Sequence, residues 1–507
     1  MSRFLLLPPF VLWMAWSSNP VTNSHGHVAW FLAGYLIIVL GLGILCRVLA
    51  RSVHGANIER RLEQFKKFIF LARWVIPVWF GIGLYWMGWG ELVRQLLGHV
   101  SHWPAELPGV LLGTAPAFGA WAGLYWSQYP ADRALREQSL LVQLDNGLPV
   151  RSPQGLWSYL STNLRMQVLF TLLPVYFIVA VRDALFGSML LAGFHPRDGG
   201  PIEIGLSLGA VAIVFPLAPE ILRRTLQTRR LPDSDLRQRL EELFDRTRLK
   251  CREILLWHTD STVGNAAVMG LVPRFRYILL SDLLLETMTD EQIEAVFAHE
   301  VGHIKHHHMI WNVVMMLLAG TIGGTLGDLL QAAPVPHWLA SDMVGSIVSF
   351  TIFVASFGWV SRRMERQADV YAARMIESEA MALVGTGAIG VLEKEPTGPT
   401  FVGQHGAEVF ASALYRVAAI NNIRTSPRKW RGQSLRHYPS YLLDRLKHSA
   451  DNFLHGSIET RRIYLERISA EPALTWRFDR FMRGLYITVI VLLIGMAGWM
   501  TWSMMQI

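Results

Sequence analysis

The chain has 507 residues, enough for several domains, and 51% of them are hydrophobic while only 17% are charged. A soluble globular protein carries about 25% charged residues, so this composition argues against an ordinary soluble protein. The net charge is +8, but the basic residues flank apolar runs and form no aromatic-rich patch, which argues against nucleic-acid binding. Cys46 and Cys251 are the only cysteines; we expect no disulfide, and neither has the spacing of a zinc ligand.

Apolar runs long enough to cross a bilayer recur along the chain. In order, they lie at 28–46, 68–90, 109–126, 166–181, 204–222, 309–330, 339–360 and 485–502. A shorter stretch, 4–16, is interrupted by two prolines and lacks an Ala-x-Ala-like cleavage site, so we do not expect its removal. The pattern predicts a multi-span helical bundle. The runs 309–330 and 339–360 form a hairpin that crosses the bilayer or enters it only in part.

The loops between these runs alternate between rich and poor in Lys and Arg. Two pairs of arginines, Arg223-Arg224 and Arg229-Arg230, open the long polar segment that follows the fifth run. The positive-inside rule places this segment, 223–307, on the cytoplasmic side. Arg362-Arg363 follows the apolar hairpin and returns the second polar segment, 361–480, to the same side. The two polar segments can therefore form one domain at one membrane face.

The first polar segment predicts a compact mixed unit. We expect a helix at 236–247 and short strands at 253–258, 264–270 and 276–280. A further helix begins after Thr289, because Gln292 three residues later completes a capping box. Asp290 and Glu291 lie in its first turn, where the helix dipole favours acidic residues.

The helix that begins after Thr289 carries the sequence His-Glu-x-x-His at His299, Glu300 and His303. Positions i and i+4 lie on one face of a helix, so both imidazoles can reach one metal ion. Glu300 can then reach a water on that metal, an arrangement typical of zinc peptidases. The pattern arises by chance in roughly one per cent of chains of this length, so its helical context matters.

A catalytic zinc site needs a third protein ligand and leaves the fourth position to water. Glu365 is the best downstream candidate, and Asp369 lies one helical turn after it. Asp369 can accept a hydrogen bond from the second ring nitrogen of a ligating histidine. A solvated helix that carries a run of charges is the alternative for this segment.

Three further histidines, His306, His307 and His308, follow the motif. They suggest a second metal site, but we expect them to lie with Lys305 at the polar boundary where the helix approaches the membrane.

The order of these motifs resembles a known family. Gly264-Asn265-Ala266, then His299-Glu300-x-x-His303, then Glu365-x-x-x-Asp369 beyond two apolar runs, is similar to the membrane gluzincins of the HtpX and CAAX-prenyl-protease group, over roughly residues 230–450. The resemblance implies one Zn²⁺ per chain, bound by His299, His303 and Glu365, with Glu300 as catalytic base and Asp369 behind the ligands. It also implies that the strand at Asn265 and Ala266 lines the cleft and pairs with the substrate backbone. A turn residue beside Gly264 is the alternative for Asn265.

Members of this group often carry His-Pro-x followed by an Arg, both placed at the substrate. The nearest match is His437-Tyr438-Pro439, with Arg445 further on. Tyr438 interrupts the pattern and the spacing to the arginine is longer. For His437 and Arg445, a surface role and stabilisation of the transition state therefore both stay open.

Together these features predict a mainly α integral membrane protein, a multi-span helical bundle with a cytoplasmic-side, zincin-like α+β catalytic domain. That domain combines a small sheet with the His-Glu-x-x-His helix. The expected segments are an N-terminal membrane domain of about five spans plus a short apolar segment (1–222), the first part of the catalytic domain (223–308), an apolar hairpin (309–360), the second part of the catalytic domain (361–480) and a C-terminal span (481–507).

We expect an integral membrane zinc-dependent endopeptidase that uses a zinc-activated water and a glutamate general base, in membrane-protein quality control or peptide processing. Its expected partners are the lipid bilayer and peptide or protein substrates, unfolded or membrane-embedded, with no nucleic acid. The resemblance places it in a prokaryotic inner membrane with the active site facing the cytoplasm. The alternative is a non-proteolytic zinc-dependent scaffold or transporter. A structural zinc site closes all four positions with protein ligands, and no fourth Cys or His has convincing spacing.

Overall fold

The structure is a computed structural model. It describes residues 7–18, 27–51, 58–98, 106–145, 154–194, 201–332, 342–385, 401–421 and 456–504, together with the single positions 423, 425, 442, 445, 448, 449, 452 and 455. The chain forms two compact units. The first comprises Met1–Thr228, Trp257–Ser261 and Lys429–Lys447, and the second comprises Arg229–Leu256, Thr262–Arg428 and His448–Ile507.

The first unit is helical. Its helices are α1 (Leu7–Ser18), α2 (Val28–Arg51), α3 (Ile58–Tyr85), α4 (Trp89–Gly98), α5 (Glu106–Asp145), α6 (Leu156–Asn163), α7 (Phe170–Leu191) and α8 (Pro201–Thr225), with a π-helical segment, Leu164–Leu169, between α6 and α7. The apolar run predicted to reach residue 90 ends as a helix at Tyr85, because Gly88, with φ of 77°, breaks the helix before α4. The described part of the short apolar stretch, from Leu7 onward, lies in α1, whose Trp13 and Trp16 are buried in the core of this unit.

Helices of the first unit are long and apolar enough to cross a membrane. Among the described residues, five segments meet this criterion by length and composition: Val28–Leu49, Lys67–Tyr85, Glu106–Ala134, Leu156–Leu191 and Gly205–Thr225. They confirm the first five predicted runs. The protein is therefore a multi-pass integral membrane protein, since a helix satisfies all of its backbone hydrogen bonds within lipid. Whether the hairpin 309–360 and the run 485–502 cross fully stays a prediction; the first of these runs contributes the shorter apolar segment His308–Ala319.

The second unit combines a small sheet with helices. Its elements are β1 (Thr228–Arg230), α9 (Asp235–Arg246), β2 (Glu253–Trp257), β3 (Ala266–Met269), β4 (Tyr277–Ser281), α10 (Asp282–Thr287), α11 (Asp290–Lys305), α12 (His308–Ala332), α13 (Asp342–Gly385), α14 (Gln404–Ile420), α15 (Ile458–Ala470) and α16 (Pro472–Met504). Among the residues that the structure describes, the sheet order is β1-β2-β4-β3, so β3 lies at an edge. β3 runs antiparallel to β4, with Ala266 opposite Leu280 and Met269 opposite Tyr277. The predicted helix and strands between residues 236 and 280 are confirmed, whereas β1 was not predicted.

α11 and α13 approach each other closely at Gly302. A Cβ atom at this glycine would lie 3.1 Å from the Cα of Ala368 and 3.1 Å from the Cδ1 of Tyr371. Ala368 is fully buried. Two small residues at the contact allow the helix that carries the two motif histidines to lie against the helix that carries Glu365.

The capping box predicted at the start of α11 is present. The Thr289 hydroxyl accepts a hydrogen bond from the backbone N–H of Gln292, and the Gln292 side chain accepts one from the backbone N–H of Thr289. We expect Thr289→Ala to lower the free energy of unfolding by about 1 kcal/mol, because one N–H in the first turn loses its acceptor. Chemical denaturation of the purified protein in detergent measures this loss. Thr289→Ser keeps the acceptor and serves as the control; equal losses in both variants would contradict the assignment.

Candidate metal centre

His299, His303 and Glu365 converge on one point. The Nε2 atoms of His299 and His303 lie 3.1 Å apart, and carboxylate oxygens of Glu365 lie 3.6 Å from the first and 3.7 Å from the second. One possible ligand atom from each of the three residues lies within 4.8 Å of the other two. Zinc binds nitrogen and oxygen at about 2.0–2.1 Å, which gives ligand–ligand distances of about 3.4 Å in a tetrahedron. The three side chains therefore fit one zinc ion.

The alternative of a solvated helix for the Glu365 segment is wrong. Glu365 is 6% exposed and Asp369 is 1% exposed, because α13 turns this face toward α11. The Oδ1 atom of Asp369 lies 3.0 Å from the Nδ1 atom of His299, which leaves the Nε2 atom of that ring pointing at Glu365. Asp369 thus lies where it can orient His299.

The charged groups around His299 favour the orientation in which its Nδ1 atom faces Asp369. Burial by itself raises the pKa of Asp369, but the positive charge of Arg461 and hydrogen bonding with His299 outweigh it and lower the pKa. Burial likewise disfavours the charged form of His299, yet the adjacent carboxylates of Asp369 and Glu365 raise its pKa to about 9. Asp369 is therefore ionised at neutral pH, and its carboxylate lies within 3.0 Å of the Nδ1 atom of His299.

Glu300 lies beside the edge strand. Its Oε2 atom accepts a hydrogen bond from the backbone N–H of Val268 on β3 at 3.1 Å. The side chain is only partly exposed, and burial raises its pKa. A carboxylate with a raised pKa is better matched to taking up a proton near neutral pH.

Two residues that the sequence reasoning missed contact Glu365. The Nδ1 atom of His455 lies 2.9 Å from Oε1 of Glu365, and Arg461 lies 3.7 Å from its Oε2. Arg461 is buried and its Nε donates to Oδ2 of Asp369 at 2.8 Å, with a second guanidinium nitrogen on Oδ1. His455 and Arg461 therefore hold both carboxylates of the centre.

A sequence signal for these two residues existed. His455-Gly456-Ser457 is followed by Arg461, the order expected for the His-Pro-x pattern, but with glycine where proline was sought. Gly456 has φ of 74°, a left-handed conformation that proline cannot adopt. Ser457 then caps α15, the helix that carries Arg461.

The two residues that the sequence analysis named as candidates, His437 and Arg445, are not among these contacts. His437 lies outside the described residues. Arg445 is exposed and belongs to the first unit, whereas the histidines and carboxylates of the centre belong to the second.

The expectation that His306, His307 and His308 lie at a polar boundary is wrong for the last of them. His307 is exposed, but His308 is 1% exposed. The Nδ1 atom of His308 lies 2.8 Å from Nδ1 of His303. The helix breaks at His307, whose φ is 55°, and α12 begins at His308 with its imidazole beside that of His303.

The strand predicted at 264–270 is present as β3, with Asn265 directly before it, and its role in substrate binding stays a prediction. The backbone of Asn265 faces β4, since its N–H donates to Oγ of Ser281 and its carbonyl accepts from the N–H of Ser281. Successive residues of a strand present their backbone groups to opposite edges, so the backbone of Ala266 faces the free edge. The backbone of Gly264 is already paired, because the Asn421 amide accepts from its N–H and donates to its carbonyl.

We expect Arg461→Leu to destabilise the fold by about 3–5 kcal/mol, because it leaves the buried carboxylate of Asp369 without its counter-ion. Thermal unfolding of the purified protein measures the loss. Arg462→Leu is the matched control, since the neighbouring Arg462 pairs with Glu459 and Glu466 at the surface, where an ion pair contributes little to stability. Similar losses in the two variants would refute the role of Arg461.

Comparison with known proteins shows what this chain is similar to. Residues 230–436 match peptidase family M48. A protease HtpX homolog from Aeropyrum pernix is 24% identical over 304 residues, which cover 55% of this chain and 91% of that protein. A CAAX prenyl protease 1 homolog from Arabidopsis thaliana is 27% identical over 159 residues, 29% of this chain and 38% of that protein. The crystal structure of S. mikatae Ste24p aligns with 91% of this chain and 98% of that one, with a TM-score of 0.43 and 14% identity.

The matched region contains the motif helix α11, the third candidate ligand Glu365 and the edge strand β3. Its His-His-Glu group is consistent with the zinc site of such a peptidase. Over residues 230–436 the chain matches peptidase family M48, and it is a multi-pass membrane metallopeptidase related to HtpX and to CAAX prenyl protease.

Proposed function

We propose that the protein is a zinc endopeptidase that holds one Zn²⁺ per chain through His299, His303 and Glu365. The convergence of these three side chains from two helices carries the proposal. Zinc bound there would lower the pKa of a water and polarise the scissile carbonyl. Three protein ligands leave a coordination position for solvent, as a catalytic site requires.

Glu300 is the proposed general base. It lies next to the first ligand on α11, and the hydrogen bond from Val268 holds one of its carboxylate oxygens against β3. The carboxylate takes a proton from the attacking water and later delivers it to the leaving amine. The contact with Val268 keeps this acceptor beside the strand where the scissile bond would lie.

The free edge of β3 is the proposed binding site for the substrate backbone. An extended peptide can add to an exposed edge by backbone hydrogen bonding, and Ala266 presents its backbone to that edge. The Asn421 amide occupies the backbone of Gly264, so pairing begins at Ala266. Asn265 supports the strand from the β4 side.

His455 and Arg461 take the places first considered for His437 and Arg445. The side chain of His455 is 63% exposed while its Nδ1 lies against Glu365, so its ring borders the centre on the solvent side. From there it can donate a hydrogen bond to the oxyanion that develops during hydrolysis. Arg461 is buried and acts by holding Asp369 and Glu365.

The proposed setting is a prokaryotic inner membrane, with the centre on the cytoplasmic side where arginines flank the spans. We propose a role in membrane-protein quality control or peptide processing, with unfolded, membrane-embedded or processed peptides as substrates. A non-proteolytic scaffold or transporter is less well supported, because neither needs an acid held beside an open zinc position and an edge strand.

Incubation of the purified protein in detergent with unfolded casein tests the proposal. We expect cleavage that 1,10-phenanthroline abolishes and that added zinc restores. A parallel arm with a prenylated peptide separates general proteolysis from peptide processing. Stoichiometric zinc without cleavage of either substrate would favour the structural-zinc alternative.

A further inference from the structure

A chain of polar side chains runs from the metal centre to α16. His303 contacts His308, with 2.8 Å between their Nδ1 atoms. The Nε2 atom of His308 lies 3.0 Å from Oε1 of Gln367, and the same oxygen accepts a hydrogen bond from the Tyr486 hydroxyl at 2.7 Å. Gln367 lies on α13 and Tyr486 on α16, so the chain joins four helices.

Zinc bound at His303 would determine which atom carries the hydrogen in each contact of this chain. Because the Nε2 atom of His303 faces the other two ligands, it must offer its lone pair to the metal, and its Nδ1 must carry the hydrogen. The Nδ1 atom of His308 is then the acceptor, so His308 is neutral and carries its hydrogen on Nε2. That N–H donates to Oε1 of Gln367, whose second lone pair accepts from Tyr486. One assignment satisfies all of these contacts.

The chain is held in a packed environment. His308 is 1% exposed and Gln367 is 7% exposed. The ring of Tyr486 stacks on Trp311, with centroids 4.3 Å apart and an interplanar angle of 22°. Tyr486 and Trp311 pack against a cluster that includes Val489 of α16. Buried polar groups in such a place have a single low-energy arrangement.

We propose that His308 is the positioning residue of the zinc ligand His303, and that Gln367 and Tyr486 fix His308, so that the C-terminal helix α16 contributes to metal affinity. The inference rests on the proposed function. The two zinc histidines would then be oriented by different chemistry: an ionised carboxylate, Asp369, for His299 and a neutral imidazole for His303. A residue that supports a zinc histidine typically changes metal affinity by 10–100-fold when it is replaced.

Zinc affinity, measured by competition with a chromophoric chelator, tests the inference. We expect His308→Leu to weaken zinc binding by about 10–100-fold. His308→Asn should recover most of the affinity, because the Asn side chain carries an oxygen acceptor near the position of Nδ1. Tyr486→Phe should weaken binding less than His308→Leu, since it removes only the outermost contact. If His308→Leu does not fold, Gln367→Met is the variant to test instead. It removes the hydrogen-bond acceptor of His308 and keeps a similar side-chain volume.

The visible spectrum of the Co²⁺-substituted protein supplies a second readout. It reports ligand geometry, so His308→Leu should shift its absorption bands whereas a purely structural loss would leave them unchanged. His307→Asn is the matched control, because His307 is exposed and asparagine tolerates its left-handed conformation. Wild-type affinity and an unchanged spectrum in His308→Leu would overturn the inference, and wild-type affinity in Tyr486→Phe would overturn the contribution of α16. Failure of the wild-type protein to bind zinc would instead overturn the proposed function.

Discussion

Glu300→Gln is expected to reduce kcat by about 10²–10⁴-fold while the zinc content stays at the wild-type level. Glutamine has the shape of glutamate, and its amide oxygen can still accept the hydrogen bond from Val268. It cannot take a proton from the attacking water, so the variant loses the chemical step but keeps the three ligands.

Cleavage of a fluorogenic peptide and elemental analysis of the same preparation provide the measurement. Glu291→Gln is the matched control on the same helix, since Glu291 is exposed and pairs with His405 away from the ligands. Substantial peptidase activity in Glu300→Gln would assign the general base to another residue. Loss of zinc from this variant would show that Glu300 supports the centre itself.

Glu365→Ala is expected to have the largest effect on zinc binding. It removes a ligand, so the loss of affinity should exceed the 10–100-fold typical of a supporting residue. The two histidines alone leave two coordination positions open. His455 and Arg461 would also lose the carboxylate that they contact. Hydrolysis should fall to the background of a metal-free preparation.

The zinc content of Glu365→Ala after dialysis, read by elemental analysis, measures this effect. Glu379→Ala serves as the control on the same helix, where Glu379 lies 3.6 Å from Arg246 in a partly exposed pair. A full complement of zinc in Glu365→Ala would exclude Glu365 as a ligand. Zinc loss in both variants would point to a general weakening of α13.

Some parts of the centre depend only on residues that lie within a few positions of each other in the sequence. The spacing of His299 and His303, and of Glu365 and Asp369, places each pair on one helical face whatever the rest of the chain does. The capping box at Thr289 is equally local, and so are the apolar runs that became the helices of the first unit.

Other parts of the centre depend on contacts between distant segments. Arg461 reaches Asp369 across 92 positions, and Tyr486 reaches Gln367 across 119. No rule of residue spacing predicts either of these contacts from the sequence. His308 is buried after a helix break at His307, and a left-handed residue there is not evident from a run of histidines. His455 was not predicted because the His-Pro-x pattern has a proline at the position of Gly456, whose left-handed backbone excludes one.

The sequence by itself therefore determined the helical spans, the motif helix and the candidate ligands, because helical periodicity and capping act over one or two turns. Only the tertiary structure decided which side chains support the ligands and which strand edge is free. Those outcomes depend on how α11, α13, α15 and α16 pack, and packing is set by small residues such as Gly302 and Ala368 and by buried charges that must find partners.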